Sequence, residues 1–235
     1  MAGEYPVRGR SELRNRRIAA HEIGHCFAGR AIGTFIHLVT IIPEHGPDGY
    51  QGCTVRSGPV TELALNDSTV LDTDEIVSIC ERLERLTPEL GSSRAESSEY
   101  YQRCQNNIIE LVAAEEAEFL LHPDLPSLGA VQDFTEADAF ARVAVAAQPA
   151  VRALVEYCKA EARALLEQNI DIVEALVEAL IAKGTLVTDE IDAIISAGMT
   201  ARSVTAERQR RADWKQRERN AVTFEVVTAK AEAAR

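Results

Sequence analysis

The sequence has no apolar run of the length that spans a bilayer, no C-x-x-C pair and no G-x-x-x-x-G-K-[ST] loop. The first absence argues against a membrane span, since about 20 consecutive apolar residues are needed. The third argues against an ATP site, because Lys183-Gly184-Thr185 lacks the upstream glycine and the strand–loop–helix setting that cradles phosphates. The five cysteines, Cys26, Cys53, Cys80, Cys104 and Cys158, are odd in number and widely spaced. They read as buried free thiols in a reducing, cytoplasmic compartment. Aromatic residues make up only 5% of the chain, with one Trp, while Ala, Leu, Glu and Val abound, which favours helix over strand. The first seventeen residues carry arginines with no apolar segment behind them, unlike a secretory signal.

What is present is an acidic body. The net charge is −12, and the arginine-rich stretches near both ends place the negative charge between them. An acidic body repels phosphate, so nucleic acid is not the expected partner. The 235 residues suffice for one large domain or two small ones.

The most informative stretch is Ile18-Ala19-Ala20-His21-Glu22-Ile23-Gly24-His25-Cys26-Phe27, which contains H-E-x-x-H. On a helix His21 and His25 lie one above the other on one face. Two imidazoles so placed can share one Zn²⁺, and Glu22 can reach a water beside it. Two histidines on a solvated helix would be the plainer reading. The apolar flanks oppose it, since a buried pair of imidazoles needs partners. Catalytic zinc takes three protein ligands, so a third must come from elsewhere.

Periodicity and breakers predict a mainly α fold, with a small β-hairpin or sheet beside the H-E-x-x-H helix. That helix is expected from about Glu12 or Arg16 to Ala31, with Gly33 as its C-cap. Residues 37–43 and 50–56 read as two strands joined by a turn at 44–49. Two strands are too few to stand alone and must lie on helices. A loop over 57–72 leads into a helix opened by Asp72 and Glu75 and ending near Pro88, followed by a surface loop over 91–98. Helices are then expected over 98–121, 134–147, from Pro149 to Glu167, over 171–183, and from Thr188 to Ser196, with a charged helix over 203–220 that contains Trp214. The domain plan is a flexible arm over 1–15, a main domain over 16–200 with 57–104 as an insertion, and a charged helix or tail over 201–235.

For the third ligand the residue types leave six candidates: Asp133, Glu118, His45, His122, Glu115 and Glu116. Asp133 begins a helix after a Gly-Ala turn, where the backbone holds a short carboxylate rigidly. The same position suits an ordinary helix N-cap.

Several segments resemble the peptidase domain of the FtsH family of zinc metalloproteases, in the family's order, over residues 16–196. Ala19 to Cys26 (A-A-H-E-I-G-H-C) matches the family's A-x-H-E-A-G-H-A. Leu38 to Pro43 with Gly49-Tyr50 echoes its V-T-I-x-P…G-Y segment. Ala113 to Glu118 weakly echoes A-G-R-A-A-E-E. Ser127 to Asp133, on to Ala137 and Ala141, matches S-x-G-A-x-x-D, and Lys183 to Ile191 resembles K-G-T-L-x-x-x-E-I. The resemblance implies a helical zinc-metallopeptidase domain. It implies His21, His25 and Asp133 as ligands of one Zn²⁺ per chain, Glu22 as catalytic base, and Glu118 as an outer residue orienting a ligand histidine. Substrates would be peptides or unfolded polypeptides, and the protein would form a homo-oligomer. The family's ATPase module and membrane anchor have no counterpart here, so the expected activity is ATP-independent endopeptidase. Two alternatives stand beside it: a proteolytic subunit served by a separate ATPase, and a non-catalytic binding or regulatory module on the same fold. Family P-R-G after the strand becomes Pro43-Glu44-His45, and family G-R becomes Ala114-Glu115, departures that bear on substrate and assembly more than on metal.

Overall fold

A computed structural model of the chain describes residues 5–44, 50–57, 62–65, 81, 85, 88–89, 91–128, 130–145 and 147–233. The chain divides into two units, Met1–Ile191 and Asp192–Arg235.

The first unit is built around α1 (Glu12–Ile32), in which every residue from Ile18 to Gly29 is buried. A helix buried all round must be covered on every side. It packs against α2 (Arg94–Leu121), α5 (Ile170–Lys183) and the strands β1 (Ile36–Thr40) and β2 (Gly52–Arg56). Ser11 accepts a hydrogen bond from the Arg14 amide at 3.2 Å and caps the start of α1. Gly33 in the left-handed conformation ends it, as expected. The approach of α1 to α2 depends on a missing side chain. A Cβ on Gly24 would stand 2.5 Å from the Ala113 carbonyl oxygen and 2.6 Å from the Ala114 Cα. Both are backbone atoms, which cannot swing away. Gly24→Ala is therefore expected to lose about 1–3 kcal/mol or more through overpacking, read as a lower midpoint in urea denaturation at unchanged slope.

The sheet has four antiparallel strands among the described residues, in the order β3-β2-β1-β4, with β3 at Glu62–Leu65 and β4 at Thr185–Val187. Val39 pairs with Thr54 on one side and with Leu186 on the other. The sequence suggested only the central pair. The structure corrects this: β1 lies between β2 and β4. Gly184, at φ 78°, stops α5 and turns the chain so that Thr185–Val187 adds to β1. The two central strands satisfy each other's backbone groups, and Thr40 and Thr185 hydroxyls meet at 2.8 Å across the outer pair.

Other boundaries shift in ways local chemistry explains. α2 begins at Arg94 rather than 98, because Ser93 and Glu96 form a reciprocal capping box. α3 (Val131–Ala144) starts and ends earlier than expected, so Asp133 lies inside its first turn and not at its cap. α4 (Gln148–Glu167) begins with Pro149 in its first turn, as the proline suggested. Within the stretch expected as a flexible arm over 1–15, Tyr5 and Arg10 bond to the rest of the first unit. The Tyr5 hydroxyl donates to the Ile181 carbonyl, and Arg10 donates to the Ile41 carbonyl at 2.7 Å and to the Gln51 carbonyl at 3.1 Å. The turn at 45–49 and most of the loop and helix expected over 57–88 fall outside the described residues, and within the expected loop Glu62–Leu65 is instead the strand β3, paired with β2.

α6 (Thr188–Ala233) is one continuous helix, where the sequence suggested two. The Thr188 hydroxyl donates to the Ile36 and His37 carbonyls, fastening the helix start to β1. In the second unit α6 is lined by same-helix pairs, among them Arg211 with Glu207 and Trp214 with Glu218, and Trp214 is 61% exposed. Among the described residues no helix is long and apolar enough to cross a membrane.

Candidate metal centre

The spacing of H-E-x-x-H does what helical geometry dictates: α1 presents His21 and His25 on one face, their rings 5.0 Å apart at 85°. Facing them is Asp133, brought by the first turn of α3. His21 Nε2 stands 3.3 Å from Asp133 Oδ2, and His25 Nε2 stands 3.5 Å from Oδ1. All three are buried, at 1%, 1% and 6% exposure. One donor atom from each lies within 4.8 Å of the others, a group that could hold a metal ion.

The fit to a cation can be tested on the chain itself. Neither Nε2 makes a hydrogen bond, although both are buried. Buried ring nitrogens that face a carboxylate without a formed hydrogen bond are costly. Ligand atoms about 2.0–2.1 Å from a tetrahedral zinc stand about 3.3–3.4 Å from one another, close to the separations seen here. The electrostatics agree. Burial pulls the His21 imidazole down, but Asp133 and Glu118 on either side outweigh it and push it up to about 10. Burial likewise opposes charge on His25, and Asp133 again raises it. Burial would raise the Asp133 carboxyl, yet the two imidazoles hold it well below the usual range. A site whose field favours imidazolium favours a metal cation by the same field.

The far side of each ring is fixed by α2. His21 Nδ1 meets Glu118 Oε1 at 2.8 Å, and His25 Nδ1 meets the Glu110 carbonyl oxygen at 2.9 Å. An acceptor at Nδ1 sets the tautomer that leaves Nε2 to face a metal. Glu110 is itself held by buried Arg56, which also donates to Asn107 Oδ1 at 2.5 Å.

Glu22 is fully buried beside the cluster and lies outside it. Its Oε2 accepts from the Thr54 hydroxyl at 2.9 Å, and its Oε1 has no hydrogen-bond partner. Burial, countered by His21, His25 and Thr54, lifts its carboxyl to about 7. A Cβ at Gly52 would sit 2.7 Å from Glu22 Oε1, so the start of β2 reaches the carboxylate only as glycine.

Of the five described candidates for the third ligand the structure brings only Asp133 into the group. Glu118 sits one contact further out. His122 caps the end of α2, where burial and nearby Arg17 lower its pKa. Glu115 and Glu116 pair with Lys159, and Glu116 also with Arg163. His45 lies outside the described residues. Sequence reasoning missed Thr54, Gly52, Arg56 and Glu110. The one signal in the sequence was charge or polarity within otherwise apolar segments of β2 and α2. No family model matches the chain, and no curated protein does.

Proposed function

We propose that the protein is a zinc-dependent, ATP-independent endopeptidase that hydrolyses peptides or unfolded polypeptides, as its resemblance to FtsH-type peptidase domains implies. The observation that carries this reading is Glu22. A purely structural metal site has no use for a desolvated carboxylate oxygen kept without a partner, and a general base has every use for one.

His21 and His25 would hold the metal through Nε2 and Asp133 through its carboxylate. Zinc bound there supplies a water acidified to near neutrality and polarises a carbonyl. Glu22 would accept a proton at Oε1 and return it to the departing amine. Thr54 keeps Oε2 occupied, so that Oε1 is the oxygen that exchanges the proton. The described cysteines are buried single thiols, which supports a reducing, cytoplasmic setting for this activity.

The burial of the whole group, at most 6% exposed, favours a second reading as well. The site would be opened by a separate ATPase acting in trans, or would serve a binding module without turnover. The zinc-loaded protein, incubated without ATP with an unfolded polypeptide, separates these. Cleavage that a zinc chelator stops is expected. No cleavage, with one zinc bound per chain, would move the choice to the second reading.

A further inference from the structure

We propose that Arg17 is a positioning residue for the metal centre, holding the segment that delivers Asp133; the proposal rests on the metal-binding reading above. Arg17 lies one helical turn before His21, so its guanidinium and the imidazole share a face of α1. Both reach Glu118. The two carboxylate oxygens of Glu118 divide their work. Oε1 takes His21 Nδ1, while Oε2 accepts from the Leu128 amide at 2.9 Å and stands 3.4 Å from Arg17 Nη2. The same Nη2 donates to the Pro126 carbonyl. Pro126 and Leu128 belong to the stretch between the end of α2 and the start of α3, and Asp133 follows in the first turn of α3.

The start of α3 has no side-chain cap: its N-cap residue is Ala130. A helix start without a cap is free to shift unless something outside holds it. The clamp on Pro126 and Leu128 is one such hold, and its two anchors are Glu118 and Arg17. One carboxylate therefore sets the ring angle of the first histidine and the approach of the aspartate opposite it. Arg17 completes the arrangement through one nitrogen, its Nη2, which faces the Glu118 carboxylate and the Pro126 carbonyl together.

Arg17→Met and Arg17→Lys, compared with the wild-type chain, test this through zinc affinity measured against a chromophoric chelator. The visible absorption of the Co²⁺-substituted protein is read alongside. Losing an outer partner of a metal site costs about 10–100-fold in affinity. Arg17→Met is expected to fall in that range with an altered Co²⁺ spectrum, and Arg17→Lys between it and wild type. Amide exchange at Leu128 gives a readout that needs no metal. It is expected to speed up in Arg17→Met while the middle of α2 stays protected. If wild type binds zinc and Arg17→Met binds it equally well, with the same Co²⁺ spectrum and the same exchange at Leu128, the positioning role is wrong whatever happens to the melting temperature. If wild type binds no zinc, the metal reading itself fails, a result distinct from the first.

Discussion

Glu22→Gln is expected to abolish peptide hydrolysis while zinc stays bound at close to wild-type affinity. Gln has the shape of Glu, and its amide oxygen can still accept from Thr54, so the helix and the ring positions are preserved. What it lacks is a site for a proton at the position of Oε1. General acid–base catalysis contributes about 10²–10⁴-fold to rate, and the loss in kcat should be at least of that order. Zinc affinity should change little, because the carboxylate stands outside the group formed by His21, His25 and Asp133. The measurement is a pair: zinc content by chelator competition, and turnover on an unfolded polypeptide at saturating zinc. A variant that still cuts at the wild-type rate would remove Glu22 from the chemistry. A variant that loses zinc along with activity would make Glu22 a ligand instead.

How far this site was legible in the sequence depends on chain distance. His21, Glu22 and His25 sit within a helical turn of one another, so spacing alone fixes their mutual geometry. Asp133 is more than a hundred residues away, and residue chemistry left it among six candidates until family-like flanking segments favoured it. Thr54, Gly52 and Arg17 take part only because β2 and the α2–α3 connection fold back on α1. Nothing local marks a threonine in a buried strand as the partner of a distant carboxylate. The same limit applies to the fold. Long amphipathic helices such as α4 and α5 announce themselves by periodicity and by Pro149 and Gly184. β4 is three residues long, too short for any period, and its pairing to β1 follows from the turn at Gly184. Splitting α6 in two failed for a related reason: between Ser196 and Arg202 small residues weaken the apolar pattern, yet nothing in that stretch breaks a helix outright.

Asp133→Asn is expected to weaken zinc binding by at least about 100-fold, more than the 10–100-fold typical of an outer partner. The variant keeps the size of the side chain and removes the charge that both imidazoles face. Wild-type protein at zinc a thousand times its Kd gains about 4 kcal/mol of stability from binding. At about 2–4 °C per kcal/mol for a chain of this size, zinc should raise its melting temperature by about 8–16 °C. A 100-fold loss of affinity removes about 2.7 kcal/mol of that at the same zinc concentration. The zinc-dependent rise in the variant should then shrink to about 3–6 °C. The increment is the quantity to read, not the melting temperature itself. Asp133 also meets His21 and His25 directly, so the variant starts from a lower stability before any metal is added. His25→Ala should shrink the increment at least as far, since it removes a donor outright. If Asp133→Asn keeps the full increment, the third ligand is another group. Glu22, the other buried carboxylate that both imidazoles feel and that has an oxygen to spare, would be the one to exchange roles with it.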